Sequence, residues 1–220
     1  MLAEHPSPGR RPGPAINVEA FMSITLFEFQ PTRSARARWT LLELEIPFES
    51  IAGLEIIGSA PLKAVSPLGK VPALVDDGRP LFESAAICTW LADSHPDKGL
   101  IAPSGSWERA LHDQWVSFCL AELEAHLWST HRNTYLYPEP RRVPAVLEQD
   151  AAEGRKSLEV LNTHLAETPF LVGGRFTVAD IIVGFAVNWA RRLGWPAGLA
   201  DCLAYNERIL AMPNCPYARD

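Results

Sequence analysis

Several features that would assign a chemistry directly are missing from this 220-residue sequence. Its four cysteines form no C-x-x-C pair and show no zinc-finger spacing, which argues against a dithiol redox centre and a structural zinc site. No G-x-S-x-G elbow and no glycine-rich phosphate loop occur. His126 and His131 are five positions apart, not the four that align two ligands on one helical face, so no metal site is predicted.

Long apolar runs and an excess of positive charge are absent as well. No stretch of about 18 uncharged apolar residues is present, so we predict no membrane-spanning helix and no membrane partner. Lys and Arg total 20 against 26 Asp and Glu, a net charge of −6, which argues against nucleic acid as a partner. Cysteines without a disulfide pattern favour a reducing compartment, so a cytoplasmic location is expected.

Residues 1–22 differ in composition from the remainder of the chain. They hold four prolines and two glycines and show almost no apolar period, which is typical of a disordered extension. No apolar core of 7–15 residues follows Arg10 and Arg11, so the segment does not resemble a secretory signal. Met22 stands directly before the first predicted strand, and we interpret it as an alternative start of the protein.

Residues 23–98 predict a small mixed sheet covered by helices. A β-rich alternating run is followed by a helix, a second strand, a proline-containing loop, a hairpin and another helix. The βαβ part requires a parallel pair of strands, and the hairpin adds antiparallel ones. The predicted bounds are Ser23–Phe29, Ala35–Glu45, Phe48–Ile57, a loop over Gly58–Gly69, Val71–Val75 with Pro80–Phe82, and Ser84–His95.

Residues 99–106 resemble a linker, and residues 107–220 predict an all-helical domain. The linker contains two glycines and a proline, and no convincing strand follows it. Apolar residues at helical spacing recur among charged ones, which is typical of a helical bundle. The predicted helices are Trp107–His131, Arg141–Glu167, Thr177–Leu193 and Leu199–Met212.

The turn Pro31–Ser34 is the first candidate site. It lies between a strand and a helix, where open α/β sheets bind ligands and where the free N–H groups of a helix favour an anion. The hydroxyls of Thr32 and Ser34 could donate hydrogen bonds to that anion. The alternative is that one of them only caps the helix.

Two further segments are candidates for ligand binding. A cis Val71–Pro72 bond would expose the Val71 backbone to an extended ligand, with Lys70 beside it; the alternative is a trans proline at a strand edge. Ser84 starts a helix and Glu83 precedes it, so a carboxylate and an ammonium could bind there. The alternative for this pair is a capping serine beside a solvated glutamate.

Thr177-Val178-Ala179-Asp180 is similar to a capping box in which Asp replaces the usual Glu or Gln. Asp180 would accept from the N–H of Thr177 at the start of a helix. We therefore predict a structural role for Asp180.

Three motifs together give the sequence a family resemblance. They are S-P-L-G-K-V-P-A-L at Ser66–Leu74, L-F-E-S-A-A-I at Leu81–Ile87 and G-G-R-F-T-V-A-D at Gly173–Asp180. With the strand and turn before them, they resemble the soluble glutathione S-transferase family, its bacterial members above all, over residues 23–218. The resemblance implies an N-terminal thioredoxin-like βαβ-ββα domain, an all-helical C-terminal domain and a homodimer.

The resemblance also implies roles for the candidate residues. Glutathione would be the co-substrate, with Val71 before a cis Pro72 pairing with its cysteinyl part. Glu83 and Ser84 would hold its γ-glutamyl end, and Lys70 would lie near its glycyl carboxylate. The group that activates the thiol would lie at the first turn, where Thr32 and Ser34 are the candidates.

The turn departs from the family pattern, which uses Ser, Cys or Tyr. It has no cysteine, and the first tyrosine in the chain is Tyr135. The resemblance implies attack of the glutathione thiolate on a small hydrophobic electrophile, as in detoxification, with the first helix of the second domain forming part of its wall. Alternatives are a glutathione-dependent isomerase or peroxidase, and a binding protein of the same fold without catalysis.

Overall fold

The structure, a computed structural model, describes residues 24–217. The predicted extension 1–22 and the last three residues lie outside this range. A four-stranded sheet with the order β2-β1-β3-β4 forms the first half. Its strands are β1 (Ile24–Glu28), β2 (Phe48–Ala52), β3 (Ala73–Asp76) and β4 (Arg79–Phe82).

The sheet is mixed, as predicted, because β1 pairs in parallel with β2 and antiparallel with β3. Leu26 of β1 lies opposite Leu74 of β3, and both side chains are fully buried. Helices α1 (Ser34–Glu43) and α3 (Ser84–Asp93) pack against each other and against the sheet. This arrangement brings the ends of β1 and β4, and the helices that follow them, to one region of the molecule.

The predicted loop over Gly58–Gly69 is wrong, because it contains the short helix α2 (Ala60–Val65). The Ser59 side chain accepts a hydrogen bond from the N–H of Leu62 at 3.3 Å and caps this helix. Pro61 lies in its first turn, where the missing N–H of proline has no cost. Leu62 is fully buried beneath the helix. The proline that suggested a loop therefore starts a helix.

The second half is helical, as predicted, with shorter and more varied elements. The predicted helix Trp107–His131 consists of α4 (Trp107–Phe118), a π-helical segment (Cys119–Glu124) and α5 (Ala125–His131). A second π-helical segment (Arg132–Leu136) extends it. The later helices are α6 (Val146–Leu165), α7 (Val178–Arg192) and α8 (Ala200–Leu210).

The predicted capping box is confirmed at the start of α7. The N–H of Thr177 donates to Asp180 Oδ2 at 2.8 Å, and the Thr177 hydroxyl also lies 3.0 Å from that oxygen. Asp180 Oδ1 accepts from the N–H of Leu171 at 3.0 Å and from the Tyr205 hydroxyl at 3.2 Å. Burial raises the pKa of Asp180 to about 6, so the side chain is ionised at neutral pH. Its two oxygens tie α7 to the preceding loop and to α8.

The two halves share one hydrophobic core. Trp39 of α1 is fully buried, with its ring centroid 5.3 Å from that of Phe176 and 5.0 Å from that of Tyr217. Helix α7 packs against both α1 and α3. Clefts at this boundary are consequently held by well-packed walls on both sides.

Neither membrane nor metal features are found in the described part of the chain. Between residues 24 and 217 no helix combines the length and apolar character needed to cross a bilayer. The same residues hold no cluster of three or more His, Cys, Asp or Glu side chains suited to a metal ion.

Candidate functional site

A cavity of about 590 Å³ lies between the sheet-containing half and the helical half. We call it the first cavity. Five of the residues singled out in the sequence line it, from two separate stretches of chain: Lys70, Val71, Pro72, Glu83 and Ser84. Arg33 and Trp128 are among the residues on its other sides. The fold therefore brings the second and third candidate segments together in one place.

The stretch before β3 supplies one wall of the first cavity. The Val71–Pro72 peptide bond is cis, as the family resemblance implies. Lys70 lines the cavity, with its Nζ 5.5 Å from the ring centroid of Trp128 in α5. Lys70 thus places a positive charge beside the backbone of Val71.

The start of α3 supplies the adjoining part of the wall, because β3 and β4 are paired with Ala73 beside Phe82. Glu83 precedes this ten-residue helix with φ of 74°, a conformation that non-glycine residues adopt rarely and that recurs at ligand-binding positions. Glu83, Ser84, Ala85 and Ala86 all border the first cavity, so the first turn of α3 faces it. A helix end of this kind favours a carboxylate.

The alternative in which Ser84 caps α3 is not the arrangement in the structure. Ser84 is the first helical residue rather than the cap, and among the described residues no side-chain hydrogen bond caps this end. Its hydroxyl instead accepts a hydrogen bond from Arg36 Nη1 at 3.2 Å. The side chain is therefore oriented by a buried arginine beneath the cavity floor.

Two arginines share one carboxylate at the boundary of the two halves. Arg33 and Arg36 both donate to Glu124, which lies in the first π-helical segment. Burial acts to raise the pKa of Glu124, but the charges of Arg36 and Arg33 outweigh it, and the pKa lies below its usual range. The cluster consequently carries one net positive charge. Nothing in the sequence indicated Glu124 as part of the site, because its partners lie 88 and 91 positions away.

The two candidate hydroxyls form a closed set of hydrogen bonds within their own turn. The N–H of Phe29 donates to Ser34 Oγ at 3.2 Å, Ser34 Oγ lies 2.9 Å from Thr32 Oγ1, and Thr32 donates back to the carbonyl of Phe29. Ser34 is fully buried and lines neither large cavity, whereas Thr32 lines a second one. The structure thus places neither residue on the wall of the first cavity.

A second cavity of about 410 Å³ adjoins the first. Arg33 and Trp128 line both, so they stand at the junction. The turn after β1 and helix α5 form part of its wall, and α5 belongs to the helix that the family resemblance predicts beside an electrophile. Helix α7 contributes Phe185 and Trp189, a contribution that the sequence did not indicate.

None of the cysteines lies at these cavities. Cys88, Cys119 and Cys202 are buried, and Cys215 is partly buried. Burial raises the thiol pKa of Cys88 to about 11 and that of Cys119 to about 12. The thiols of Cys88 and Cys119 are protonated and inaccessible, which argues against a mixed disulfide between either of them and glutathione.

Comparison with known proteins places this geometry in a family. Residues 27–99 match the glutathione S-transferase N-terminal domain, and residues 144–209 match the C-terminal domain. Glutathione S-transferase GstA of Escherichia coli O157:H7 is 34% identical over 152 residues, which cover 68% of this chain and 72% of GstA. The chain belongs to the glutathione S-transferase family.

Some other proteins similar to this chain are named as transferases, and others are not. The structure of a sphingomonad glutathione S-transferase complexed with glutathione superimposes with a TM-score of 0.76 at 26% identity, over 87% of this chain and 94% of that one. Probable elongation factor 1-gamma 2 of Arabidopsis thaliana is 38% identical over 137 residues, 58% of this chain but 32% of that protein. The fold therefore occurs both in transferases and in part of a longer protein with another name.

Proposed function

We propose that this protein binds glutathione in the first cavity and conjugates it to a small electrophile. The observation that carries the proposal is the convergence of Val71 with its cis proline, Glu83 and Ser84 on one cavity. The γ-glutamyl carboxylate fits the first turn of α3, and Glu83 fits its ammonium group. Lys70 fits the glycyl carboxylate at the other end. The structure of the sphingomonad relative with glutathione supports the same ligand.

Arg33 takes the main role in stabilising the thiolate in this proposal. A thiol of pKa about 8.5 needs a drop of about two units, or roughly 2.7 kcal/mol, to be mostly ionised at pH 7. A hydrogen bond from a charged donor supplies about 1.5–3 kcal/mol, and the N-terminus of α1 adds about 0.3–1 kcal/mol. The net charge of the Arg33–Arg36–Glu124 cluster acts in the same direction.

Thr32 and Ser34 remain the candidate hydroxyls, with Thr32 the better placed of the two. Thr32 borders the second cavity beside Arg33, and Ser34 holds it in position. Their bonds within the turn fix the backbone that carries Arg33. We propose that they act on the thiolate mainly through this positioning.

The electrophile occupies the second cavity. The thiol loses its proton to solvent, the thiolate sulfur forms a bond to the electrophilic carbon, and the bond from that carbon to its leaving group breaks. Proximity across the Arg33 junction provides the rate gain. Leu68, Phe82 and Leu120 are exposed apolar residues around the first cavity, and they fit the interface of a homodimer. The proposed location of the protein is the cytoplasm.

Two measurements test this function. Titration calorimetry should detect binding of glutathione, and a panel of aryl halides, enals and peroxides should reveal turnover by formation of thioether or oxidised glutathione. Absence of binding at millimolar glutathione would contradict the site. Turnover of peroxides or isomerisable substrates alone would assign the peroxidase or isomerase alternative.

A second candidate is a glutathione-binding protein without catalysis. The closed hydrogen bonds of Thr32 and Ser34 favour it, since they occupy the hydroxyls at the turn. Binding of glutathione with an unshifted thiol pKa, and no turnover of the panel, would support this candidate over the enzyme.

A further inference from the structure

The second cavity has a charge and shape that select among electrophiles. We propose that its preferred substrates are planar aromatic electrophiles carrying an anionic group such as a carboxylate or sulfonate. The proposal rests on the function proposed above and adds the substrate class.

Aromatic side chains form a substantial part of the wall. Trp128, Tyr135, Phe185, Trp189 and Tyr217 all line the second cavity. Phe185 stands at 80° to Tyr217 with centroids 5.4 Å apart, and at 69° to Trp189 with centroids 6.2 Å apart. Aromatic rings set at such angles give the cavity a wall against which a flat aromatic guest can pack.

The charged residues of this wall all have one sign. Arg33 and Arg192 line the second cavity, and no Asp or Glu does so within residues 24–217. Arg192 is exposed at the end of α7 and has no hydrogen-bond or ion-pair partner among the described residues. An exposed guanidinium beside an aromatic-lined cavity is suited to a carboxylate or sulfonate.

The neighbouring polar groups are compatible with an anion. Burial, and next the charge of Arg33, lower the pKa of His131, so its imidazole is neutral at pH 7. Arg33 lies over both Trp128 and Trp189, with Cζ at 4.9 and 5.3 Å from their ring centroids. It stands between the cavities, where it offsets repulsion between an acidic glutathione and an acidic electrophile.

A matched pair of aryl chlorides tests the preference. A chlorodinitrobenzoate and the corresponding chlorodinitrobenzamide have the same reacting carbon, and both lose chloride when the glutathione sulfur bonds to it. We expect kcat/KM, relative to the uncatalysed rate, to favour the benzoate by about tenfold, which corresponds to about 1.4 kcal/mol. Arg192→Gln should bring this ratio close to one. Lys63→Gln removes one charge at an exposed position away from both cavities and should leave the ratio unchanged.

A binding measurement separates this inference from the proposed function. Unreactive dinitrobenzoate and dinitrobenzamide are titrated by calorimetry, with S-methylglutathione saturating the first cavity. Tighter binding of the benzoate, lost in Arg192→Gln, supports the inference even if no electrophile turns over. Equal or tighter binding of the benzamide by the unmodified protein, or a preference unaffected by Arg192→Gln, overturns it. If glutathione analogues fail to bind, that result contradicts the proposed function but not this inference. The affinities of dinitrobenzoate and dinitrobenzamide for the second cavity are in that case compared in the absence of S-methylglutathione.

Discussion

The guanidinium of Arg36 donates to the carboxylate of Glu124 inside the protein, across the boundary between its two halves. Arg36 is fully buried and Glu124 nearly so. The same guanidinium donates to the carbonyl of Ile182 in α7 at 3.0 and 2.7 Å and to the Ser84 hydroxyl at 3.2 Å. One side chain therefore links α1, α3, α7 and the first π-helical segment directly beneath the first cavity.

Glu124→Gln should lower the free energy of unfolding substantially. The variant leaves Arg36 buried without an opposite charge, and breaking a buried pair in this way costs about 3–5 kcal/mol. Glu122→Gln, in the same segment but exposed, is the matched control and should change the free energy by less than about 0.5 kcal/mol. Urea denaturation followed by circular dichroism measures both. A Glu124→Gln protein as stable as the control would contradict a stabilising role for the pair.

The same variant should alter the response to acid. The pKa of Glu124 is lowered in the folded protein, so its contribution to stability is present above the unfolded pKa of about 4.3 and is lost as pH falls through the folded value. The difference in stability between wild type and Glu124→Gln should therefore be constant from about pH 7 to pH 5 and shrink below that. A difference that grows on acidification would have the wrong sign.

Asp180→Asn should reduce folding yield and leave turnover per folded molecule unchanged. In the variant, an NH₂ group replaces one of the two carboxylate oxygens, so it faces either the donor of Thr177 or the donors of Leu171 and Tyr205. The unpaired donors lower the free energy of unfolding by about 2–4 kcal/mol. Asp113→Asn, an exposed change on α4, is the control. The soluble fraction, the urea midpoint and activity per folded protein distinguish the roles. A variant of normal stability with a purely catalytic defect would contradict the structural assignment.

The sequence was sufficient for features that rest on local pattern. Alternation and turn residues predicted the mixed sheet, and the spacing of Thr177 and Asp180 predicted the capping box. The resemblance in Ser66–Leu74 and Leu81–Ile87 grouped residues that the fold brings to one cavity. Each of these features depends on residues close together in the chain, or on a motif that carries its structural context with it.

The sequence was insufficient where distant residues decide the outcome. Ser84 has the residue type of a helix cap, yet its hydroxyl pairs with Arg36, 48 positions away. The sequence suggests that the hydroxyls of Thr32 and Ser34 are available to a ligand, but in the structure both are hydrogen-bonded to the backbone of Phe29. No local periodicity indicates that Glu124 faces two arginines of another domain. Tertiary contacts of this kind override local propensity and become visible only in the fold.

Ser84→Ala should weaken glutathione binding by about tenfold, or about 1.4 kcal/mol, because Ser84 lines the first cavity where we propose that the γ-glutamyl carboxylate binds. The loss of stability should stay near 1 kcal/mol, since Arg36 keeps its bonds to Glu124 and Ile182. Ser94→Ala, an exposed change at the other end of α3, is the control. Calorimetry with glutathione measures the affinity. Unchanged binding by Ser84→Ala would remove this residue from the site.

Arg33→Gln should raise the pKa of the bound glutathione thiol more than either hydroxyl variant. Arg33 lies at the junction of the cavities, and the carboxylate of Glu124 offsets its charge only in part because that carboxylate also pairs with Arg36. The hydroxyls of Thr32 and Ser34, in contrast, are hydrogen-bonded within their own turn. We expect a rise of about one to two pKa units for Arg33→Gln, which corresponds to about 1.4–2.7 kcal/mol. Ultraviolet absorbance of the thiolate, titrated against pH in the complex, measures it.

Thr32→Ala and Ser34→Ala, alone and together, decide how the turn contributes. If the hydroxyls act by positioning, each single variant should raise the thiol pKa by a fraction of the Arg33→Gln effect, and adding either to Arg33→Gln should raise it little further, because positioning has no target once the guanidinium is gone. A Thr32→Ala shift equal to that of Arg33→Gln, and additive with it, would instead show that the Thr32 hydroxyl leaves Phe29 and donates directly to the sulfur. No shift in any of these variants would mean that this turn does not ionise the thiol, and the non-catalytic candidate would then be favoured.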